Sequence, residues 1–498
     1  MSYQQLCQRE RERATLASCA SLLGWDERTY LPQKGQAFRS EQLALLARLS
    51  HEQLISPRTA ELLHAAENEP LSDAERSNVQ GIRRNYNRAL KLPTELVVAL
   101  AQATSAGQNA WEQSKRNNDF KGFQPFLEKI VHLKREEAQA VGFQEHPYDA
   151  LLEEFEPGAS TAEIRKLFSA LQAQLVPLVQ QIIHSEVKAP REILYRKYPV
   201  EKQRQFSTWI IEQIGFDRSA GRLDETVHPF CSGIGPGDCR ITTRYNEHGF
   251  SEAFFGSLHE AGHGIYEQNL PDEHFGTPLG TACSLGIHES QSRLWENFIG
   301  RSKSFWQANW PRLREEFSNI LEDVDQERFY AAINDVRPSL IRIEADEVTY
   351  NLHIILRFEL EQSLLTGDLR VNDLPEVWKE RFYALFKLEV PDDAHGCLQD
   401  VHWSAGLLGY FPTYTLGNLY AAQFLEQAQQ EIPELYVQIA QGHYQPLKHW
   451  LNTRIHHFGQ RYTATALCEN ITGKRLQIEP LLHYLKQKFS ELYKLHGE

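Results

Sequence analysis

Apolar residues recur three and four positions apart, with charged residues between them, along most of this chain. Such spacing places the apolar side chains on one face of an α-helix. The longest segments of this kind are 41–54, 74–90, 96–116, 162–184, 344–366 and 481–495. Prolines and glycines fall between these segments, as at Leu92-Pro93 and Glu156-Pro157-Gly158. We therefore predict a mainly α protein.

One region departs from this pattern. Between positions 228 and 249 the helical spacing stops and glycines cluster. The stretch Cys239-Arg240-Ile241-Thr242-Thr243-Arg244-Tyr245 has the β-branched alternation of a strand, and Asn246-Glu247-His248-Gly249 follows it as a turn. We expect a small antiparallel sheet here, inside one large helical domain of two lobes that spans residues 1–498. There is no internal repeat and no flexible linker to divide that domain.

Composition narrows the class of protein. A formal net charge of −14 disfavours a general nucleic-acid binder, because neutralising phosphates takes clustered cations. The mean hydropathy of −0.49, with no long uncharged apolar run, argues against a membrane protein. The polar N-terminus lacks the apolar stretch of a secretory signal. Seven scattered cysteines without a C-x-x-C pair are typical of reduced thiols in a cytoplasmic protein.

The run His259-Glu260-Ala261-Gly262-His263 carries the candidate chemistry. It lies in an amphipathic segment, 251–268, whose start Ser251 can cap. Residues four apart lie on one face of a helix, so the imidazoles of His259 and His263 can bind one cation. Glu260 projects beside the open position of that cation, where it can accept a proton from an attacking water. A motif this short also arises by chance, so it needs support from other residues.

Two further features support a metal site. Gly262 and Gly264 flank His263 although each costs about 1 kcal/mol of helix stability, which indicates that something approaches the helix closely there. Glu289 starts a second amphipathic segment, and its carboxylate can complete a catalytic His₂Glu site. Alone it would be typical of a solvated surface residue. The adjacent His288 is the weaker candidate for a ligand, since neighbouring helical residues point about 100° apart.

These residues belong to a longer series of motifs, and with them the sequence resembles the Taq-type thermostable carboxypeptidase family of zinc metallopeptidases along nearly its whole length. The motifs are Gly24-Trp25-Asp26, His228-Pro229-Phe230, Asp238-Cys239-Arg240-Ile241-Thr242, His259 to His263, His288-Glu289-Ser290-Gln291, Ile341-Arg342-Ile343-Glu344-Ala345-Asp346 and Gly396-Cys397-Leu398-Gln399-Asp400-Val401-His402-Trp403. Seven separate motifs in the same order make a chance resemblance implausible.

The resemblance implies a helical fold like that of angiotensin-converting enzyme and neurolysin, with a deep active-site groove and a small sheet beside it. It also implies a homodimer that releases single residues from the free C-termini of peptides, with broad side-chain preference and poor tolerance of proline. Carried over by position, His259, His263 and Glu289 become the ligands of one Zn²⁺ per chain, and Glu260 becomes the general base and acid. Co²⁺ or Mn²⁺ also suits such a nitrogen and oxygen site.

A carboxypeptidase must bind a free terminal carboxylate, which suits the forked donors of arginine. The motifs offer Arg240 and Arg342, and the sequence leaves open which of them does so. Cleavage also needs a donor for the oxyanion. His228, His402 and Tyr414 are candidates. The alternative for each is a buried side chain whose polar tip is satisfied, and for Tyr414 this alternative has at least equal weight.

Two roles are open for Asp346. Metal-bound imidazoles commonly donate their second nitrogen to a carboxylate, and Asp346 could orient a ligand histidine in this way. Its position at the predicted start of a helix after Pro338 is equally compatible with a structural salt bridge.

Two other functions compete with this interpretation. An oligopeptidase of the same fold would use the same ligands, because the ligands set the chemistry and the ends of the groove set the cleavage position. A helical scaffold protein with a structural metal is the alternative from another class. The open character of a His₂Glu set with a base beside it disfavours that alternative.

Overall fold

The computed structural model describes residues 1–495 of the chain, and this part is mainly helical, as predicted. Residues 496–498 lie outside the described part. The α-helices, in order, are α1 Ser2–Thr29, α2 Gln36–Leu54, α3 Pro57–Glu67, α4 Asp73–Lys91, α5 Thr94–Asn117, α6 Phe120–Val141, α7 Pro147–Leu152, α8 Thr161–His184, α9 Val200–Ile214, α10 Phe250–Gln268, α11 Leu285–Arg293, α12 Lys303–Glu316, α13 Gln326–Ile333, α14 Tyr350–Thr366, α15 Leu374–Phe386, α16 Pro412–Glu431, α17 Leu435–Ala440, α18 Gln445–Arg454, α19 Ala464–Thr472 and α20 Glu479–Tyr493.

Each of the six long segments with helical spacing coincides with a helix, respectively α2, α4, α5, α8, α14 and α20. The largest difference is at the start of α14, which begins at Tyr350 and not at 344. Asp346 accepts the backbone N–H groups of Val348 and Thr349, each at 2.9 Å, and these bonds hold the preceding segment as a loop. None of the helices within residues 1–495 is both long and apolar enough to cross a membrane.

The predicted small sheet is present, and it has three strands: β1 Gly221–Glu225, β2 Cys231–Gly235 and β3 Asp238–Thr243. Strand β3 lies in the centre. It pairs antiparallel with β2 through a tight Gly-Pro-Gly connection, but it pairs parallel with β1, with Gly221 opposite Cys239 and Glu225 opposite Thr243. The sheet is therefore mixed and not antiparallel throughout. The sequence did not reveal β1, because its Gly-Arg-Leu-Asp-Glu run is short and lacks β-branched residues.

The chain divides into two compact units. The first consists of Met1–Leu90, Ala189–Asn334 and Tyr420–Arg475, and it contains the sheet and α10. Helix α10 packs one face into an aromatic cluster, with ring centroids 5.4 Å apart for Phe250 and Phe254 and 5.2 Å apart for Phe254 and Trp306. All three side chains are buried, so the helix that carries His259 and His263 is fixed in position by close packing.

The second unit consists of Lys91–Lys188, Asp335–Leu419 and the chain from Leu476 onward. Its central element is α14, in which fourteen of the seventeen residues are buried. Helices α6, α7, α8 and α15 pack around it. The prediction of one domain over residues 1–498 extends past the described part of the chain and stays a prediction, as do the deep groove and the likeness to angiotensin-converting enzyme and neurolysin.

Helix α10 begins at Phe250, and its N-cap is Gly249, without a side-chain cap. The expectation that Ser251 caps this helix is therefore wrong. Ser251 lies inside the first turn, and its buried hydroxyl has no hydrogen-bond partner among the described residues. The backbone conformation of Gly249 starts the helix instead, since glycine adopts non-helical φ and ψ angles at little cost.

The two glycines beside His263 lie at close contacts, as the sequence indicated. A Cβ at Gly262 would lie 2.6 Å from the backbone oxygen of Gln291 and 2.7 Å from the Cα of Ser292, both in α11. A Cβ at Gly264 would meet Phe216 at 2.6 Å and the side chain of Ile241 in β3 at 3.1 Å. Gly262 therefore sets how closely α10 and α11 cross, and Gly264 sets how closely α10 lies on the sheet.

We predict that Gly262→Ala destabilises the protein, because the new methyl group meets backbone that cannot rotate away. Overpacking of this kind costs about 1–3 kcal/mol, so the apparent Tm in a thermal melt should fall by several degrees. Gly256→Ala is the matched control in the same helix, because the nearest atom to a Cβ there is 3.8 Å away. That change should raise the Tm slightly through helix propensity. Equal melting of both variants would contradict the close crossing.

Candidate active site

Three predicted side chains converge between α10 and α11. The Nε2 atom of His259 lies 3.7 Å from Oε2 of Glu289, and the Nε2 atom of His263 lies 3.4 Å from the same oxygen. Bonds of about 2.0–2.2 Å at tetrahedral angles place the ligands of one Zn²⁺ roughly 3.3–3.6 Å apart. Two imidazole nitrogens and one carboxylate oxygen at these separations therefore fit one such cation. Within residues 1–495 this is the one group of three histidine, cysteine or acidic side chains with metal-ligand geometry.

A buried network of charges holds His259 and Glu289 in this arrangement. The Nδ1 atom of His259 lies 2.8 Å from Oε2 of Glu296. Arg293 connects the two carboxylates: its Nε donates to Oε1 of Glu289 at 2.6 Å, and its Nη1 donates to Oε2 of Glu296 at 3.2 Å. Because Arg293 binds Oε1 of Glu289, the Oε2 atom is turned toward the two imidazoles. The Glu296 contact directs Nε2 of His259 toward the same point.

His263 has its own support. Its Nδ1 atom lies 2.5 Å from Nδ1 of His288, and Nε2 of His288 lies 2.8 Å from Oε1 of Glu267. A proton on Nδ1 of His263 and another on Nε2 of His288 satisfy both contacts, which leaves Nε2 of His263 as a lone-pair donor. His288 thus contacts the candidate ligand His263 and is not part of the group of three side chains that could hold a metal ion.

Glu260 is the fourth residue of this site. It is 7% exposed, and no hydrogen bond within the described part of the chain holds its carboxylate. Burial raises the pKa of Glu260 to about 7, and the nearby carboxylates of Glu289 and Glu296 act in the same direction, although His259 opposes them. A carboxylate with a pKa near neutrality can both accept and return a proton during catalysis.

The two histidines differ in their electrostatic surroundings. Burial disfavours charge on His259, but Glu289 and Glu296 outweigh that effect and raise its pKa to about 9. Burial and the adjacent His288 lower the pKa of His263 to about 3. Burial alone would raise the pKa of Glu289, yet Arg293 and the histidines lower it well below the usual range. The site thus keeps a carboxylate ionised inside the protein, where an isolated charge is costly.

Arg240 and His228 lie in the same unit as this site. Arg240, in β3, donates Nε and Nη2 to the two carboxylate oxygens of Asp238 at 2.9 and 2.8 Å. Its guanidinium group also lies 4.3 Å from the ring centroid of Trp25 in α1, so the side chain is fixed in one orientation. His228 is exposed in the loop between β1 and β2.

The other predicted substrate residues form a buried cluster in the second unit. Arg342 is 5% exposed, and it donates Nε and Nη2 to Oδ1 of Asp400 at 2.9 and 2.7 Å and Nη1 to the hydroxyl of Tyr350 at 2.8 Å. Arg357 binds the other oxygen of Asp400 through Nε at 2.6 Å. One carboxylate, 11% exposed, thus neutralises part of the charge of two guanidinium groups, and they hold the pKa of Asp400 far below its usual range although desolvation opposes them.

His402 and Tyr414 belong to this cluster, because Nε2 of His402 lies 3.1 Å from the hydroxyl oxygen of Tyr414. Burial and the charge of Arg342 lower the pKa of His402 to about 3, so the imidazole is neutral. The guanidinium of Arg342 lies 5.1 Å from the ring centroid of Tyr414. The structure therefore brings Arg342, His402 and Tyr414 together, as side chains with existing polar partners.

Asp346 does not orient a ligand histidine, which was one of the two roles considered for it. One oxygen accepts the backbone N–H groups before α14, and the other accepts the hydroxyl of Thr349 at 2.7 Å and the backbone N–H of Arg337 at 3.1 Å. The carboxylate against a ligand histidine is Glu296. Asp346 also forms no salt bridge with any residue of 1–495, because backbone and hydroxyl donors occupy both of its oxygens.

Three residues that contact the candidate ligands or their partner His288 were not predicted from the sequence: Glu296, Arg293 and Glu267. A signal for two of them exists, since Arg293 and Glu296 follow Glu289 by four and seven positions, which are spacings of one helical face. The chain between them changes to a π-helical turn, Leu294–Ile299, which alters the direction of the following side chains. Glu267 follows His263 by four residues, but its partner His288 is on another helix.

The chain is similar to known proteins along nearly its whole length. The family model described as Carboxypeptidase Taq (M32) metallopeptidase matches residues 5–489. Thermostable carboxypeptidase 1 of Thermus thermophilus is 47% identical, with 99% of each chain covered. Carboxypeptidase 1 of Bacillus subtilis is 38% identical, with 96% of each chain covered. The crystal structure of the M32 carboxypeptidase from Deinococcus radiodurans superposes with a TM-score of 0.97 at 38% identity, with 99% of each chain covered.

We predict that Asp400→Asn strongly destabilises the second unit, because Arg342 and Arg357 would stay buried without a carboxylate. Breaking a buried ion pair by removing one partner costs roughly 3–5 kcal/mol, and a thermal melt should show a lower Tm. The control is Asp373→Asn, whose partner Arg370 is 80% exposed, and it should melt close to the wild type. A wild-type melt for Asp400→Asn would show that this network contributes little to stability.

Proposed function

This chain belongs to the carboxypeptidase Taq (M32) metallopeptidase family and is a metallocarboxypeptidase, and on that premise we propose that it releases single C-terminal residues from peptides with broad specificity and poor activity on proline. The observation that carries the proposal is the convergence of His259, His263 and Glu289 beside the unbonded carboxylate of Glu260. Its substrates are peptides with a free C-terminus.

The proposed metal is Zn²⁺, one per chain, held by His259, His263 and Glu289. The donor set supports this choice, because two imidazole nitrogens and one carboxylate oxygen are a common catalytic zinc set that leaves a position open. Glu296 and His288 support the choice further, since ligand imidazoles normally have a partner on their second nitrogen. Co²⁺ and Mn²⁺ accept the same donor atoms and are expected substitutes.

The proposed catalytic role of Glu260 follows from its surroundings. When bound, Zn²⁺ supplies Lewis acidity that polarises a carbonyl oxygen and lowers the pKa of water. Glu260 accepts the proton of the attacking water and delivers it to the nitrogen of the leaving residue. A pKa near 7 suits both transfers, and no hydrogen bond among residues 1–495 occupies the two carboxylate oxygens. Glu289 differs because Arg293 keeps it ionised, which suits a ligand and not a base.

We assign substrate contacts to the motif residues as part of the same proposal. Arg240 and Arg342 are the candidate cations for the terminal carboxylate, and each is already oriented by a carboxylate of its own, Asp238 or Asp400. His228, His402 and Tyr414 are the candidate donors for the oxyanion. The contact between His402 and Tyr414 favours these two residues over His228 as donors. A neutral imidazole and a phenol hydroxyl can both donate a hydrogen bond without adding charge.

The proposal includes a cytoplasmic homodimer with a deep active-site groove. The support for the compartment is that all seven cysteines carry free thiols, which suits a reducing environment. The dimer and the groove rest on the family resemblance. Size-exclusion chromatography with light scattering would measure the mass of the assembly against the chain mass of 57.4 kDa.

The test of the proposed activity is a pair of peptides of one sequence, one with a free C-terminus and one amidated. Each is incubated with and without a zinc chelator and followed by mass spectrometry. We expect stepwise loss of single residues from the free peptide alone, abolished by chelator and restored by Zn²⁺. Internal cleavage of both peptides would instead identify an oligopeptidase, and metal binding without cleavage would identify a scaffold.

We predict that Glu260→Gln retains zinc but loses most turnover, because glutamine fills the same space and cannot accept a proton. Loss of general acid–base catalysis lowers kcat by about 10²–10⁴-fold. Metal content by elemental analysis and kcat on a short peptide measure the two effects separately. Glu252→Gln, an exposed change in the same helix, is the control and should keep wild-type kcat. Near-wild-type turnover by Glu260→Gln would refute its role.

We predict that Glu296→Gln weakens zinc binding by about 10–100-fold, since His259 loses the anionic partner on Nδ1 that orients the ring and raises the basicity of Nε2. Competition with a chromophoric chelator gives the Kd. The exposed change Glu273→Gln serves as control and should leave the Kd unchanged. A wild-type Kd for Glu296→Gln would mean that the ring is positioned by packing alone.

A further inference from the structure

Two cysteines meet on the small sheet beside the candidate metal centre. Cys231 in β2 and Cys239 in β3 have their Sγ atoms 3.7 Å apart. In the antiparallel register Cys231 faces Ile241 and Gly233 faces Cys239, so the two thiols are diagonal neighbours on one face of the sheet. Cys239 is 3% exposed and Cys231 is partly exposed, so Cys231 is the more accessible residue of the two.

Strand β2, which carries Cys231, also lies against Glu267, and Glu267 is linked to His263 through His288. A Cβ at Gly233 would collide with Oε2 of Glu267, so the backbone of β2 lies directly against this carboxylate. The other oxygen of Glu267 is 2.8 Å from Nε2 of His288, whose Nδ1 lies 2.5 Å from Nδ1 of His263. A shift of β2 at Gly233 is therefore transmitted through two side chains to a candidate ligand.

We propose that Cys231 and Cys239 form a redox-active dithiol, which a low-molecular-weight disulfide converts to an intrachain disulfide that weakens metal binding at His263. A disulfide requires the two sulfurs to lie about 2.05 Å apart, roughly 1.7 Å closer than in the dithiol. Closing that distance moves β2 where Gly233 contacts Glu267. The effect on metal binding rests on the proposed metal role of His263, whereas formation of the disulfide does not.

The chemistry is two successive thiol–disulfide exchanges. The Cys231 thiolate attacks one sulfur of the small disulfide, the S–S bond of the reagent breaks, and the first reagent thiolate leaves and takes up the proton that Cys231 lost. The Cys239 thiolate then attacks the sulfur of Cys231, and the second reagent thiolate leaves and takes up the proton of Cys239. Two protein thiols are oxidised by two electrons, and one reagent disulfide is reduced to two thiols.

The surroundings of Cys231 set the speed of this reaction. The adjacent thiol of Cys239 and burial raise the pKa of the Cys231 thiol, and Glu267 adds to the effect. Because the thiolate is the attacking species, exchange at neutral pH is slow. The pair therefore responds to sustained oxidising conditions and not to brief ones.

The experiment uses the full chain loaded with Zn²⁺ and treated with oxidised glutathione or with the smaller 2,2′-dithiodipyridine. The Cys19→Ser background removes an exposed thiol in α1 that would otherwise form mixed disulfides. We expect an intact mass about 2 Da below that of the reduced protein, and a Cys231–Cys239 cross-link in the proteolytic digest. Dithiothreitol should reverse both. Release of Zn²⁺ to a chromophoric chelator should be about 10-fold faster after oxidation.

Single substitutions separate the steps. Cys239→Ser should stop at a mixed disulfide on Cys231, and Cys231→Ser should give no cross-link. Glu267→Gln should still form the disulfide, but oxidation should then change zinc release less than in the parent. Neither measurement depends on peptide cleavage, so failure of the proposed activity would be seen separately.

The proposal is overturned if neither reagent forms the cross-link under conditions that modify Cys19 fully in the wild type. A complete cross-link with unchanged zinc release would overturn the coupling through Glu267. A fully cross-linked protein with faster zinc release, restored by dithiothreitol, would support both parts.

Discussion

The close crossing of α10 and α11 at Gly262 is the constraint on which the candidate metal centre depends. His259 and His263 can face one cation because they are one turn apart, but the third donor has to come from another helix. Glu289 reaches the same point because the absence of a side chain at Gly262 lets α11 approach within contact of the backbone of α10. The glycine lowers the intrinsic stability of α10, and packing against the aromatic cluster around Phe254 offsets that loss.

Placing this much charge inside a protein requires matched partners. Glu289 is buried and the Glu296 side chain is 15% exposed, and Arg293 lies between their carboxylates as the compensating cation. Despite burial, Arg293 and the histidines lower the pKa of Glu289, whereas burial raises the pKa of Glu260, whose carboxylate has no hydrogen bond among residues 1–495. Different neighbours thus give one residue type two electrostatic states, which suit the proposed ligand Glu289 and the proposed base Glu260.

Helical spacing in the sequence was enough to predict the helical class and the position of six long helices. Burial of one helix face requires apolar residues at regular intervals, and these intervals are visible in the sequence. The motif from His259 to His263, together with Glu289, identified the two imidazoles and the carboxylate that meet in the structure. Arg293 and Glu296 have the helical spacing of Glu289, but that spacing alone does not identify them as contacts of the candidate ligands, and Glu267 has its partner His288 on another helix. Likewise β1 was missed because a parallel edge strand without β-branched residues leaves little pattern. The role of Asp346 could not be predicted for a similar reason, because its contacts with backbone N–H groups in the loop before α14 are visible only in the structure.

The most direct test of the account is a crystal structure of the full chain grown with Zn²⁺, with anomalous diffraction measured on both sides of the zinc absorption edge. We predict one strong anomalous peak within about 2.0–2.2 Å of Nε2 of His259, Nε2 of His263 and Oε2 of Glu289. A peak at other side chains, or none at these three atoms with zinc bound in solution, would contradict the assignment of the metal centre.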